Sequence, residues 1–97
     1  MALAPRSGMP EISRFYGIVI RMYNERSIRH HRPHFHADYQ EWSATFDIDT
    51  LSLLAGRIPA PQRRLVEAWA TIHHTELLEN WRLLNSGQPS FKIEPLV

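Results

Sequence analysis

The chain has 97 residues, which is enough for one domain with a single hydrophobic core. Hydrophobic residues make up 43% and charged residues 22%, a balance that is typical of globular domains and argues against disorder. The net charge of +1 excludes a globally basic nucleic-acid binder, and the absence of cysteine excludes disulfides, thiol catalysis and cysteine-ligated metals. With no signal-peptide pattern and no apolar run long enough to span a membrane, we expect a cytoplasmic protein.

The first part of the chain predicts a tail, a strand and a loop. Residues 1–8 contain no apolar pattern, so we expect a flexible N-terminal tail, followed by a single α+β domain over 9–97. Residues 13–23 are rich in β-branched and aromatic side chains, which predicts a first strand. Residues 24–32 are polar and predict a loop, the kind of segment in which functional sites concentrate.

Clean alternation predicts a β-hairpin over 34–39 and 42–48. A turn at Gln40-Glu41 would place three apolar pairs on one face, as a core-facing side requires. These pairs are Tyr39 with Trp42, Ala37 with Ala44, and Phe35 with Phe46. The other face would then pair His34 with Asp47, His36 with Thr45, and Asp38 with Ser43. Because the turn lacks glycine and asparagine, a two-residue turn is disfavoured and a four-residue loop keeps the same register.

The remaining sequence predicts a short strand, a long helix and an edge strand. Leu51 to Leu54 form the fourth strand, which Gly56 ends. A stripe with the 3.6-residue period predicts a core-facing helix from Pro61 to Ser86 with a bend near 74–75, and Gly87 as its stop. The stripe consists of Val66, Trp69, Ala70, His73, Leu77, Trp81 and Leu84. Residues 90–94 predict a short edge strand. The expected architecture is an antiparallel meander of about four strands with one long helix packed on one face.

The histidines are the main chemical peculiarity, since four of the six lie within residues 30–36. On a strand, His34 and His36 would share one face with Cα atoms about 6.8 Å apart, which lets both reach one Zn²⁺ ion. A third ligand would come from Asp47 across the hairpin, from His30 or His31 in the loop, or from His73 in the helix. The alternative is structural, because a His34–Asp47 cross-strand pair explains the pattern without a metal. His73 lies on the apolar stripe of the helix and is expected to be a core histidine with a backbone or acidic partner.

Arginines surround these histidines. Ten of the eleven basic residues are arginine, the side chain suited to bidentate contacts with carboxylate or phosphate. Arg26, Arg29 and Arg32, together with partly protonated histidines, form a candidate site for an anion or for RNA or DNA. The alternative is that this basic block pairs with the acidic block over 37–49 within the fold.

The order of these segments resembles a bacterial family of uncharacterised proteins, domain-of-unknown-function family 4160. The resemblance includes the Pro-His-Phe-His motif at 33–36. It is carried by residues 9–23, 33–39, 46–50, 56–59, 69–81 and 93–96. Arg29 and Arg32 replace an acid and a proline that the family usually has before this motif, so no role of that acid is carried over. The resemblance implies a bacterial protein, without a settled activity, of the kind found in toxin–antitoxin-like pairs and mobile-element cassettes.

Three functions therefore remain open. The first is an interaction or regulatory module that binds a small protein encoded nearby, or a second copy of itself, and requires no cofactor. The second is a nucleic-acid-binding or ribonuclease-like protein that uses His34, His36 and the arginines of the loop. The third is a module with a zinc ion, or another divalent metal, held by His34 and His36. No serine elbow, glycine-rich phosphate loop or Cys₂His₂ pattern occurs, so the sequence favours a protein that is not an enzyme.

Overall fold

The computed structural model describes residues 10–23 and 32–97 and has an α+β fold. The tail predicted over 1–8 lies outside the described residues. A five-stranded antiparallel sheet in the order β1-β2-β3-β4-β5 is followed by two helices. The elements are β1 (Glu11–Phe15), β2 (Ile18–Arg21), β3 (His34–Tyr39), β4 (Trp42–Asp47), β5 (Leu53–Arg57), α1 (Ala60–Ile72) and α2 (His74–Asn85). Within these ranges, neither helix is long and apolar enough to cross a membrane.

The predicted first strand is a hairpin of two strands, which raises the number of strands from four to five. Phe15 pairs with Ile18, so the connection is the two-residue turn Tyr16-Gly17. Both turn residues have positive φ, 49° and 79°, as a type I′ turn requires. The sequence does not predict this turn, because strand propensity is continuous through Tyr16-Gly17 and tyrosine rarely adopts positive φ.

The hairpin of β3 and β4 has the predicted register in all six pairs, from His34 with Asp47 to Tyr39 with Trp42. The turn is the two-residue type that the sequence disfavours. Gln40 takes the positive φ of 53° that glycine or asparagine would adopt more readily. The cross-strand pairs on either side of the turn therefore outweigh the local preference of the turn residues.

The strand predicted over Leu51 to Leu54 instead spans Leu53–Arg57, and Gly56 lies inside it. Gly56 has a φ of 76°, and a Cβ atom at this position would lie 2.1 Å from the carbonyl oxygen of Ser43. Glycine is thus needed here for a close backbone approach between β4 and β5, and does not end the strand. The pairing also shifts register between Thr45 and Phe46, which marks a β-bulge.

The long helix predicted from Pro61 to Ser86 is two helices, separated at His73. His73 has φ −107° and ψ 27°, outside the helical region, and its Nδ1 bonds the carboxylate of Glu76 in the first turn of α2. The predicted stop is confirmed: Gly87 adopts a φ of 78°, and the Gln88 N–H donates to the Leu83 carbonyl at 2.8 Å. This is the Schellman ending that glycine favours.

The helices cover one face of the sheet. Trp69 of α1 is fully buried, with its ring centroid 5.4 Å from that of Phe15 and 6.0 Å from that of Phe35. The predicted core stripe is confirmed at Val66, Trp69 and Leu77, which are buried. Trp42, which the sequence places in the core, is 37% exposed because it lies at the turn end of β4.

The C-terminal segment over 90–94 does not form the predicted edge strand. It follows β1 with the Ile93 N–H donating to the Ile12 carbonyl at 2.7 Å. Side chains of the helices fix the rest: Trp69 Nε1 donates to the Glu94 carbonyl at 2.8 Å, and Asn80 binds the backbone of Phe91. Pro89 and Pro95 cannot donate to a strand ladder, which explains why the pairing stays this short.

Candidate functional site on the polar face of the sheet

The sheet face opposite α1 carries polar side chains at alternate positions. We call Arg21, His36, Asp38, Ser43 and Thr45 the polar face. They lie in adjacent strands, since His36 pairs with Arg21 on one side and with Thr45 on the other, and Asp38 pairs with Ser43. Ser43 is exposed and the other four are half-buried.

Four aromatic rings form a continuous row beside the polar face. The ring centroids of Tyr23 and His36 are 4.8 Å apart, and the rings are stacked. His36 meets His34 edge-on at 5.4 Å, and His34 contacts Trp81 of α2 at 4.9 Å. We call Tyr23, His36, His34 and Trp81 the ring row. It confirms that His34 and His36 come together, and it connects the sheet to the second helix.

Hydrogen bonds fix both histidine rings. The His34 Nδ1–H donates to the Arg32 carbonyl at 2.8 Å, which leaves Nε2 as the lone-pair nitrogen of the neutral ring. The Nδ1 of His36 lies 3.1 Å from the Thr45 hydroxyl. His34 is only 6% exposed, whereas His36 is half-buried.

Asp47 is buried opposite His34, and its carboxylate accepts hydrogen bonds from three residues. The carboxylate is bonded by Arg32, whose Nε lies 2.7 Å away, and it accepts the backbone N–H of Asp49 and of Thr50 at 2.8 and 2.9 Å. Burial raises the pKa of Asp47, but the hydrogen bonds from Thr50, Arg32 and Asp49 outweigh burial and hold the pKa below its ordinary value. The predicted register of His34 opposite Asp47 is confirmed, and Arg32 is a cation bonded to this acid.

A second ion pair lies on the polar face. The Nε of Arg21 is 3.2 Å from Asp38, and Ser43 donates its hydroxyl to the same carboxylate at 2.8 Å. Arg21 and Arg32 therefore pair with acids of the following strands, as the structural interpretation of the charge blocks predicts. The sequence predicts the basic and acidic blocks, but not which arginine meets which acid.

The described residues contain no group of three or more histidine or acidic side chains placed to hold a metal. The candidates Arg26, Arg29, His30 and His31 lie outside the described residues. Neither Asp47 nor His73 completes a metal site with His34 and His36, so a zinc site there would need a third ligand from residues 24–31, where the sequence predicts a loop. The zinc proposal therefore depends on His30 or His31.

The other two histidines lie at the helix junction. His73 is packed against Trp69 at 5.5 Å and bonded to Glu76, as expected of a core histidine with an acidic partner. The Nε2 of His74 is 2.9 Å from Asp49 at the rim of an open pocket of about 340 Å³. Of the four histidines among the described residues, His34 and His36 belong to the ring row, and His73 and His74 belong to the helix junction.

Sequence reasoning missed two members of the ring row. Trp81 is predicted as a core residue, and its contact with His34 depends on the direction that α2 takes after the break at His73. Alternation along the strand predicted over 13–23 places Tyr23 on the same face as Arg21, but a face assignment does not predict that Tyr23 stacks on His36.

The sequence of the chain matches a known family. Residues 17–82 match the family described as Domain of unknown function (DUF4160), and the chain belongs to this family. No curated protein and no solved structure matches the chain. The family description names no activity, so the function has to be argued from the surfaces of the molecule.

Proposed function

We propose that this protein is an interaction module, which acts by binding a small protein encoded nearby in a toxin–antitoxin-like or mobile-element gene pair of a bacterium. The observation that carries the proposal is the open edge of the sheet at β5. Four of the five residues of this strand are exposed, and β5 is the last strand in the sheet order. An open edge strand presents unpaired N–H and C=O groups to which a strand of another chain can add.

The two edges of the sheet differ in a way that supports this proposal. The β1 edge is covered by the C-terminal segment through the bond from Ile93 to Ile12. Among the described residues, the backbone bonds of β5 are those of its pairing with β4. Of the features that commonly protect an edge strand, β5 contains no lysine and no proline, and its protection is limited to the charge of Arg57 and the bulge at Thr45 and Phe46.

The ladder identifies which backbone groups point outward. A two-residue turn makes Tyr39 and Trp42 a hydrogen-bonded pair, so the backbone groups of Ser43 and Thr45 point towards β5. Their partners in β5 are Arg57 and Ala55, and the intervening Gly56 therefore points its N–H and C=O away from the sheet. Leu54, two residues before Gly56, is exposed, with 42% of its surface accessible.

Co-purification with the small protein encoded by the neighbouring gene tests the proposal. We expect a complex that survives size-exclusion chromatography with the unmodified chain and that is weakened at least tenfold by Leu54→Lys. The matched control is Tyr16→Lys, because Tyr16 is also an exposed apolar residue, at 61%, but lies at the β1–β2 turn. Failure to form any complex, or an equal effect of both substitutions, would contradict the proposal.

A second candidate function is contact with RNA or DNA through the ring row. Aromatic rings next to arginines are a common platform for unpaired bases. The stacked rings of Tyr23 and His36 adjoin Arg21, and the buried His34, which meets His36 edge-on, adjoins Arg32. Fluorescence anisotropy with a labelled single-stranded RNA tests this candidate. We expect the double substitution His34→Ala with His36→Ala to reduce affinity at least tenfold; unchanged affinity would reject it.

The zinc proposal has its own test. Elemental analysis of protein purified without a histidine tag and loaded with zinc should give about one metal per chain if His34 and His36 bind it with a ligand from the loop. The double alanine substitution should abolish that stoichiometry. A ratio near zero in the unmodified protein would reject the metal site.

A further inference from the structure

We infer that the open β5 edge takes an extended partner segment with acidic side chains at the end that lies beside Arg57. The inference rests on the proposed function and adds the chemistry of the partner. Main-chain pairing along five residues interrupted by a bulge offers few hydrogen bonds, so a specific partner needs side-chain contacts as well.

Arg57 has a positive charge that the acid of its own row does not compensate. This exposed side chain lies opposite Ser43, which in turn lies opposite Asp38, so one row of positions crosses three strands. Asp38 is the acid of that row, and it is already bonded to Arg21 and to the Ser43 hydroxyl. The positive charge of Arg57 is therefore not compensated by the acid of its own row.

The start of α1, which follows Arg57 after only two residues, adds further positive charge. Arg63 and Arg64 lie near this end of the helix, and its first turn contains no acidic residue. This arrangement is the reverse of the one that the helix dipole favours, in which acids lie near the N-terminus. Arg63 has a partner in Glu67 at 3.0 Å, whereas Arg64 is exposed and has no ion pair among the described residues.

Arg57 at the C-terminal end of β5 and Arg64 near the start of α1 therefore add positive charge at neighbouring places in the chain, the first on the polar face and the second on the helix. We call these two arginines the basic corner. Residues 50–64 contain three arginines and no acid. Acidic side chains of a partner segment would compensate the positive charge of the basic corner. This attraction would favour one direction and one register of the added strand. In an antiparallel arrangement, which continues the pattern of the sheet, the acids would lie at the N-terminal end of the partner strand.

Two synthetic peptides test the inference on the full-length protein. Both have eight alternating valine and threonine residues, preceded by two glutamates in one peptide and by two lysines in the other. Each is titrated into isotope-labelled protein while the backbone amide signals of β5 are followed. We expect the glutamate peptide to shift the Gly56 amide and to bind at least tenfold more tightly than the lysine peptide in 0.1 M salt. The difference should be smaller in 0.5 M salt because exposed charges are screened (the Debye length is about 10 Å at 0.1 M and about 4 Å at 0.5 M).

Matched substitutions test whether the preference for the glutamate peptide depends on the basic corner. Arg57→Gln should reduce the preference for the glutamate peptide at least fivefold. Arg14→Gln should leave the preference unchanged, because Arg14 is also exposed but lies in β1 and pairs with Glu11 at the opposite edge of the sheet. The amide spectrum of each variant reports whether the fold is kept.

Each adverse outcome has a distinct meaning. Equal binding of both peptides at β5 would overturn the acidic partner and leave the proposed edge interaction standing. Three further results would overturn the acidic partner. They are binding of neither peptide, a dimer in sedimentation analysis that occupies β5, and a single-stranded oligonucleotide that shifts the same amide signals more strongly than the glutamate peptide does. Failure of the proposed function itself would appear separately, as a co-purified complex that Leu54→Lys does not weaken.

Discussion

The side chain of Asn80 acts as a strand partner for the backbone of Phe91. Its Nδ2 donates to the Phe91 carbonyl at 2.9 Å, and its Oδ1 accepts the Phe91 N–H at 2.9 Å. Asn80 is fully buried in α2, so this pair fixes the C-terminal segment to the helix. The same segment covers the β1 edge, so that among the described residues β5 is the edge of the sheet without a further backbone partner.

Loss of the Asn80 side chain should therefore destabilise the protein and release the C-terminal segment. Asn80→Ala removes two hydrogen bonds and leaves the backbone groups of Phe91 without this partner, which should cost about 2–4 kcal/mol. Urea unfolding measures the cost, and faster hydrogen exchange at Phe91 and Ile93 reports the release. Asn85→Ala is the control, because Asn85 is exposed and should change stability by less than about 0.5 kcal/mol. Equal costs for the two substitutions would contradict the role of Asn80.

Gly56→Ala should be among the most damaging small substitutions in the chain. The added Cβ would meet the Ser43 carbonyl oxygen at 2.1 Å, and the φ of 76° is unfavourable for alanine, so we expect a loss of about 3 kcal/mol or more. Gly87→Ala is the matched control. Its φ is 78°, but nothing lies within 4 Å of the added atom, so the strain alone should cost about 1–2 kcal/mol. Thermal or urea unfolding that ranks the two in the opposite order would contradict the close approach of β4 and β5.

Asp47 should contribute stability that depends on pH. Its pKa is lowered in the folded protein, so the contribution is complete above the pKa of an unfolded aspartate, about 3.9, and is lost as the pH falls through the lower folded pKa. Asp47→Asn removes the charge that Arg32 binds, which should cost about 1.5–3 kcal/mol at pH 7. Urea unfolding of both proteins from pH 7 down to pH 2.5 should show this difference shrinking with acid. A difference that stays constant with pH would contradict the bound carboxylate.

Local sequence patterns predict the centre of this fold better than its connections. The alternation of apolar residues predicts every pair of the β3–β4 hairpin, since a shift by one residue would turn Phe35 and Phe46 away from the core. The Tyr16-Gly17 turn was missed because the flanking strands, and not the turn residues, determine it. The helix break at His73 was displaced by one position, because it depends on the bonds that His73 makes to Glu76.

The candidate site was predictable to a similar extent. Strand periodicity places His34 and His36 on one face, and both rings lie there, 5.4 Å apart. The contact with Trp81 and the bond from Arg32 to Asp47 join elements that are distant in sequence, and such contacts leave no local pattern. The open β5 edge was missed because Gly56 suggests the end of a strand when its neighbours in the sheet are unknown.

Amide hydrogen exchange of the Gly56 N–H, measured with and without the small protein encoded by the neighbouring gene, tests the central claim most directly. This N–H points away from β4, so we predict that it exchanges rapidly in the free protein and at least a hundredfold more slowly in the complex. The amides of Ala55 and Arg57, which are bonded to β4, should change less. A complex in which Gly56 exchanges as fast as in the free protein would contradict the claim that β5 is the binding edge.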